Sequence, residues 1–411
     1  MTNRQLFLQH VGQTSEAPLA LEIIKAEGCK LYDADGKEYI DLIGGISVCN
    51  IGHKHPKVVE AIKKQADDYL HIMVYGELVQ SPQVQYATAL TKHLPATLNS
   101  VFFTASGSEA TEGAMKLAKR YTGRTQIISF KNSYHGSTQG ALSIMGDEYW
   151  RNAFRPLLPN TMQLNYNSFD DLENITIQTA CVIAETIQAE AGVLVPQNGW
   201  LKALRKKCTE TGTLLILDEI QCGFARNGTL WAFEQFDVVP DVLLLGKALG
   251  GGMPLGAFVA DKKIMDSLSH NPVLGHINTF GGHPVCCAAG LAAFNVLLDE
   301  KLIEQVNKKS ALFISLLSSK GYSSKGSGPL GNEGPLGNTK PIKITAAGLM
   351  IAIHFTDYET NKKIIDALIK EGVFTDWFLF ASNCLRIAPP LTITEEEIKE
   401  ACDKILSTLL L

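Results

Sequence analysis

The sequence predicts an α/β fold with a mostly parallel central sheet, followed by a smaller α+β unit. Three observations predict it. Short apolar runs alternate with helix-period segments through the middle of the chain. Those runs stop at polar residues or glycine, as at Glu185, Glu219 and Gly246. Beyond residue 340 the alternation gives way to one strand pattern and two helix patterns. Taken in order, Lys30-Leu31-Tyr32 and Glu38-Tyr39-Ile40 flank Asp33-Ala34-Asp35-Gly36 and read as a hairpin. Val58 to Tyr69 has helical spacing. Ser100 to Thr104 and Gln126 to Phe130 read as strands around a helix from Ser108 to Tyr121. Ala180 to Glu185, Leu214 to Glu219 and Asp241 to Gly246 read as buried strands, with Trp200 to Thr211 a helix between the first two. Gly348 to Phe355 reads as a strand and Asn361 to Gly372 as a helix. A last helix starts at Thr394, where Thr394-Glu395-Glu396-Glu397 fits a capping box. Gly326 to Lys340 holds Gly-Pro-Leu-Gly-Asn twice, at 328–332 and 334–338, and reads as a loop without an assigned function.

Composition narrows the function classes. The 411 residues carry 37 basic and 42 acidic side chains, a net charge of −5, which gives no electrostatic reason to expect nucleic acid or an anionic membrane as partner. Hydrophobic residues at 45% provide for a large core. The nine cysteines are odd in number and form no C-x-x-C pair, so neither a disulfide framework nor a zinc ribbon is indicated. The N-terminal stretch MTNRQLFLQHVGQ lacks a secretory apolar run. The apolar segment Val285 to Leu298 is too short to span a bilayer. A reducing cytoplasmic setting is the expectation. His53 and His55 are spaced like a metal pair but have no evident third ligand, and read as structural loop residues.

Ligands in open parallel sheets bind beyond the carboxyl ends of the strands. After Val101-Phe102-Phe103-Thr104 come Ala105-Ser106-Gly107-Ser108 and a helix start. Small residues before free helix N–H groups suit a phosphate, although a plain strand–helix turn looks the same. A Walker loop and a dinucleotide fingerprint both fail: Asp241 stands where the first Walker glycine belongs, and Gly250-Gly251-Gly252-Met253-Pro254-Leu255 does not complete G-x-G-x-x-G. Asp218 ends a buried strand, where a carboxylate needs a partner: an N-cap, an arginine or a cationic ring nitrogen. Lys247 ends another, before a glycine-rich bend. Burial lowers a lysine's pKa and frees its lone pair for covalent work. A phosphate turn, a buried aspartate and a buried lysine together match pyridoxal phosphate.

The sequence resembles the class III (subgroup II) aminotransferases, in the acetylornithine, ornithine and 4-aminobutyrate branch. The resemblance rests on Gly52-His53-Lys54-His55-Pro56, Ser106 to Lys116, Tyr134-His135-Gly136, Glu185 to Gly192, Leu217 to Gln221, Gly246 to Gly252, Thr279 to Pro284 and Arg386 to Leu391. It implies fold type I, a pyridoxal 5'-phosphate cofactor and a ping-pong transfer of an amino group from an amino acid donor to a 2-oxo acid. It implies three parts: 1–60 joining the small domain, 61–305 the large cofactor-binding domain, and 306–411 the small domain. Lys247 would hold the cofactor covalently, and Asp218 would keep its ring nitrogen protonated. Ser106, Gly107 and Ser108 would take the phosphate. Tyr134 would stack on the ring beside His135, Ile220 would pack on the other face, and Gln221 would bond the ring hydroxyl. Thr279 would reach the neighbouring site of a homodimer. Arg386 would bind a substrate carboxylate, Glu190 would pair with it in the absence of one, and Glu185 would support the network.

Two positions bear on the substrate. Ornithine-using members carry Tyr where this chain has Ile46, which argues against free ornithine. Many members carry Arg where this chain has Ser137, which takes away a grip on the second carboxylate of glutamate. The reading is therefore transfer of the ω-amino group of an acetylornithine-like donor, with ω-amino acid:pyruvate and 4-aminobutyrate transfer as alternatives. An aminomutase or racemase on the same scaffold, and a cofactor-binding protein without catalysis, are the readings from other classes. Ile344-Thr345-Ala346-Ala347-Gly348 stands in place of a commoner Arg-Gly-x-Gly, which leaves a loop expected there without a defined form.

Overall fold

The computed structural model describes residues 1–318 and 341–409. The glycine–proline repeat at 328–338 lies outside the described residues. After a helix at Asn3–His10 come strands β1 (Ile23–Glu27), β2 (Lys30–Asp33) and β3 (Glu38–Asp41). The expected hairpin is β2–β3, with Leu31 opposite Tyr39. Next come β4 (Ser100–Thr104), β5 (Gln126–Phe130), β6 (Thr161–Leu164), β7 (Thr179–Glu185), β8 (Leu214–Asp218), β9 (Val242–Leu245) and β10 (Gly256–Ala260). The C-terminal part adds β11 (Lys343–Ala347), β12 (Met350–His354), β13 (Val373–Phe374), β14 (Trp377–Phe378) and β15 (Ala381–Ile387).

The main sheet has seven strands in the order β4-β10-β9-β8-β7-β5-β6. The pairs β5–β6, β5–β7, β7–β8 and β8–β9 are parallel. Strand β10 had no counterpart in the sequence reading, and it runs antiparallel to both β4 and β9. The link from 246 to 255 explains this: it is too short for the helical crossover that a parallel partner needs. Strands β7, β8 and β9 are buried along their whole length. Their alternate residues feed two cores. Leu215, Leu217, Leu243 and Leu245 point to one layer, and Ile183, Ile216, Val242 and Leu244 to the other.

The flanking helices follow their sequence signals. The helix expected at 108–121 spans Gly107–Thr122, starting from Ser106 and ending at Gly123 with φ 68°. The helix at Trp200–Thr211 has its expected bounds. Pro284–Asp299 is apolar on nearly every side because it is buried against the sheet layer and neighbouring helices. No described helix is long and apolar enough to cross a membrane.

The C-terminal sheet has the order β11-β12-β15-β14 and is antiparallel throughout. The loop expected at 344–348 is instead strand β11, which turns at Gly348 (φ 57°) into β12. Backbone pairing with β12 is available to any residues in this register, so loss of the arginine–glycine pattern does not open a loop. The helix expected at 361–372 begins earlier, at Tyr358, because Asp357 caps it by accepting from Thr360 N. Thr394 forms the expected capping box with Glu397. Strand β13 joins β3 in parallel, Val373 opposite Ile40, so the N-terminal strands share a sheet with the C-terminal part. His53 bonds Asp41 at 2.7 Å and bridges the backbone of Gly28, a structural arrangement.

Candidate active site

The carboxyl ends of β4, β5, β7, β8 and β9 open onto one cavity of about 500 Å³. Each strand delivers its chemistry there by stopping. The helix start at Gly107 and Ser108 follows β4, and Tyr134 to Thr138 follow β5. Glu185 and Asp218 are register partners at the ends of β7 and β8. Lys247 follows β9.

Lys247 Nζ donates to Gln221 Oε1 at 2.9 Å. Burial lowers the lysine's pKa, and the charges of Glu190, Asp218 and Glu185 offset only part of that. Its φ is 47°, a left-handed conformation that is uncommon outside glycine. Asp218 is buried and accepts from Ile220 N at 2.9 Å through Oδ1. Its Oδ2 lies 2.7 Å from His135 Nδ1. The carboxylate only accepts, so His135 carries its proton on Nδ1. Glu185 accepts from Tyr134 N at 3.0 Å and Ala189 N at 3.1 Å. Burial and the adjacent Asp218 nevertheless push its carboxyl up to about 8.

Loop 134–138 is drawn tightly onto the helix start. Ser108 Oγ lies 2.8 Å from Thr138 Oγ1, which donates to Glu112 Oε1 at 2.6 Å. Gly136 has φ 123°, and a Cβ there would come within 2.6 Å of Ser108 Cβ. Tyr134 Oη is 3.0 Å from Ser137 Oγ. Ile220 packs on both glycine turns, 2.8 Å from where a Gly107 Cβ would be and 3.1 Å from that of Gly246.

Two further sequence-singled residues meet beside this cavity. Arg386 on β15 grips Glu190 with two bonds, Nη1 to Oε1 at 2.9 Å and Nη2 to Oε2 at 2.8 Å. Both are buried. Burial, the largest single influence, would raise Glu190, but the Arg386 charge and hydrogen bonds, with the Leu379 N–H and the Lys247 charge, together outweigh it and its pKa falls to about 2. Arg386 Nε also donates to Asp376 at 2.7 Å.

Not every expected residue faces the cavity. The Ser106 hydroxyl is engaged as the helix cap, accepting from Glu109 N at 3.2 Å. Thr279 sits exposed on a loop away from this chain's cavity. Ile46 lies in a left-handed stretch, where it and Ser47 both have φ 61°. That stretch touches Ala388 and Pro390, just past Arg386. Thr138, Gly136, Cys222, Glu112 and Asp376 were missed. Glu112 stands one helical turn after Ser108, a spacing that could have found it. Asp376 carries no local signal.

The chain matches the profile of the family described as aminotransferase class-III over residues 11–409.

It belongs to the class-III aminotransferases.

The acetylornithine aminotransferase of Methanopyrus kandleri is 36% identical over 403 residues, covering 97% of this chain and 96% of that one. That of Methanosarcina mazei is 37% identical over 400 residues, covering 96% and 93%. Among solved structures, ornithine aminotransferase from Toxoplasma gondii, with partial occupancy of PLP at its active site, superposes with a TM-score of 0.88 at 29% identity, covering 99% and 93%. Acetylornithine aminotransferase from Elizabethkingia anophelis gives 0.82 at 32% identity, covering 99% and 98%. As a member of this family the protein is a fold type I, pyridoxal-phosphate-dependent enzyme that moves an amino group from an amino donor to a 2-oxo acid.

The cavity fits that cofactor. A helix N-terminus offers N–H groups to a phosphate, Asp218 offers an acceptor to a ring nitrogen, and Lys247 offers an amine, all on one hollow.

Proposed function

We propose that this aminotransferase takes the ω-amino group of an acetylornithine-like amino acid and passes it to a 2-oxo acid. The observation that carries the reading is the buried two-bond pair of Arg386 and Glu190 beside Lys247. An arginine already satisfied by a glutamate presents a neutral wall to a donor that enters amine first. Once Glu190 swings aside, the same guanidinium can take the carboxylate of an α-amino or 2-oxo acid. One pocket then serves both halves of the reaction.

The remaining roles follow. Gly107 and Ser108 hold the phosphate, Tyr134 and Ile220 enclose the ring, and Asp218, oriented by His135, faces its nitrogen. The cofactor, when bound, supplies an electron sink. Lys247, its ammonium disfavoured by burial, moves the proton between carbon atoms as general acid and base. Glu185 and Gln221 fix the polar edge. The nine unpaired thiols support a reducing, cytoplasmic setting.

Ser137 favours a second reading for the acceptor. Among the described residues that line the cavity, Lys247 is the only lysine or arginine, and the Ser137 hydroxyl is at 3.0 Å from Tyr134. An acceptor with a second carboxylate has no fork to meet there, so pyruvate-like oxo acids should be preferred.

We also propose a homodimer, with Thr279 serving the neighbouring site. Leu70, Met73, Leu78, Val79, Val273 and Phe280 are exposed apolar side chains on two stretches, 70–79 and 273–280, and residues of both stretches, Tyr75 and Ile277 among them, line a second hollow of about 430 Å³. The division at 1–60, 61–305 and 306–411 is proposed with it, supported by the pairing of β13 with β3.

The test is a donor panel of acetylornithine, ornithine, 4-aminobutyrate, lysine and β-alanine against 2-oxoglutarate and pyruvate, with Lys247→Ala as the blank. The expected pattern is acetylornithine above ornithine, and pyruvate above 2-oxoglutarate. Strict use of 2-oxoglutarate would overturn the Ser137 argument, and exclusive use of α-amino donors would overturn the ω-amino reading.

A further inference from the structure

The turn that carries Glu190 is held at both ends. The Glu190 carbonyl accepts from Phe380 N at 3.0 Å. The Gly192 carbonyl accepts from Thr345 Oγ1 at 2.7 Å. Between and beyond them the backbone is unusual: Gly192 has φ 78° and Val193 has φ 61°. A β-branched residue keeps a left-handed conformation only where its surroundings over-determine it. The surroundings here are the C-terminal sheet. A Cβ on Gly192 would lie 3.2 Å from Ala381 Cβ and from His354 Cε1, and 3.4 Å from Cys384 Sγ.

Three side chains, one from each of β11, β12 and β15, form a chain of hydrogen bonds that ends on this turn. Thr345 Oγ1 is 2.8 Å from His354 Nε2. His354 Nδ1 is 3.1 Å from Cys384 Sγ. Cys384 stands two residues before Arg386 on the same strand. Donor counting fixes the direction. Thr345 has one hydroxyl proton, and the Gly192 carbonyl can only accept it. Thr345 Oγ1 therefore accepts from His354 Nε2–H. That leaves Nδ1 as an acceptor for the Cys384 thiol at 3.1 Å, a proton for which Asn383 Oδ1, 3.6 Å from the sulfur, is a second and longer acceptor. Burial, with Lys343 nearby, holds the imidazole down at about 4, and burial holds the thiol up at about 12. The proton order is thus the same throughout the range in which the enzyme would be assayed.

We infer that Thr345, backed by His354 and Cys384, is a positioning residue that clamps the backbone under Glu190, so that Glu190 leaves Arg386 by side-chain rotation alone. The inference rests on the proposed swing of Glu190. A clamped turn presents both glutamate oxygens to both guanidinium nitrogens without further ordering cost. A loosened turn covers Arg386 less completely. Donors that need the arginine covered then bind more weakly, and oxo acids that need it free do not.

The test uses Thr345→Val, which keeps the shape and removes the hydroxyl, in the holoenzyme. The two half-reactions are followed separately. KM for the ω-amino donor should rise about fivefold, the scale of one lost hydrogen bond. KM for the 2-oxo acid should stay or fall, and both kcat values should hold within about twofold. Thr345→Ser should restore the wild-type ratio, and amide exchange at 189–193 should quicken only in Thr345→Val. Should Thr345→Val not fold, Cys384→Ala must show the same split at smaller size. Equal changes in both KM values, or none, while Glu190→Ala shifts their ratio, would overturn the clamp alone. An unshifted ratio in Glu190→Ala would overturn the swing itself, and the clamp with it.

Discussion

Glu185 and Asp218 are chemically similar residues that environment has separated. They end adjacent parallel strands as register partners, yet Asp218 has the His135 imidazole and a backbone N–H, while Glu185 has two backbone N–H groups and a carboxylate neighbour. Burial first, and Asp218 second, lift Glu185 to about 8. A carboxyl whose folded pKa lies above its unfolded one favours folding below the unfolded value. That benefit is lost as pH rises from about 4.5 through about 8. Glu185→Gln should therefore be the more stable protein, relative to wild type, at pH 9 than at pH 5. Thermal midpoints of both proteins at the two pH values check this, and a gap that does not widen would show that Glu185 is ionised at little cost.

At the scale of elements, the proposed phosphate cradle is a joint between two pieces of chain: the start of the helix Gly107–Thr122, and the loop after β5. Glu112 holds them together by accepting from Thr138 Oγ1 and from Gly140 N and Ala141 N. Gly136 lets the loop lie this close, because its φ of 123° and the proximity of Ser108 leave no place for a side chain. Gly136→Ala should push the loop off the helix start. Overpacking of this kind costs about 1–3 kcal/mol of stability. Affinity for pyridoxal phosphate, read by titrating the apo-protein and following absorbance, should fall by at least about tenfold, the same scale in binding terms. An unchanged affinity would place the phosphate elsewhere.

At the scale of the molecule, the stretches 70–79 and 273–280 carry exposed apolar side chains of the kind that mark an interaction surface. A second copy is the occupant proposed. Phe280 is 56% exposed and neighbours Thr279, so a charge there would be buried in such an interface. Phe280→Asp should shift the protein toward monomer in analytical ultracentrifugation and lower activity at dilute concentration. A wild-type protein that sediments as a monomer would remove the shared site.

The sequence by itself determined the fold class and the parallel strands β5, β7, β8 and β9, and it pointed to Lys247 and Asp218, because each is a local signal: an apolar run that ends at a charged residue. Tyr134, Glu190 and Arg386 were reached only through the family resemblance, since no local pattern marks them. The sequence did not reveal β10, because Gly256–Ala260 follows a glycine bend and reads as its continuation. It did not tell that the 344–348 segment is a strand, since pairing with β12 rather than residue type decides that. Nor could it reveal that Asp376 meets Arg386 or that Thr345 meets the turn after Glu190, because their partners lie on other elements. What only the tertiary structure decided is how charges from distant segments come to share one hollow, and burial there is what moves Lys247 down and Glu185 up.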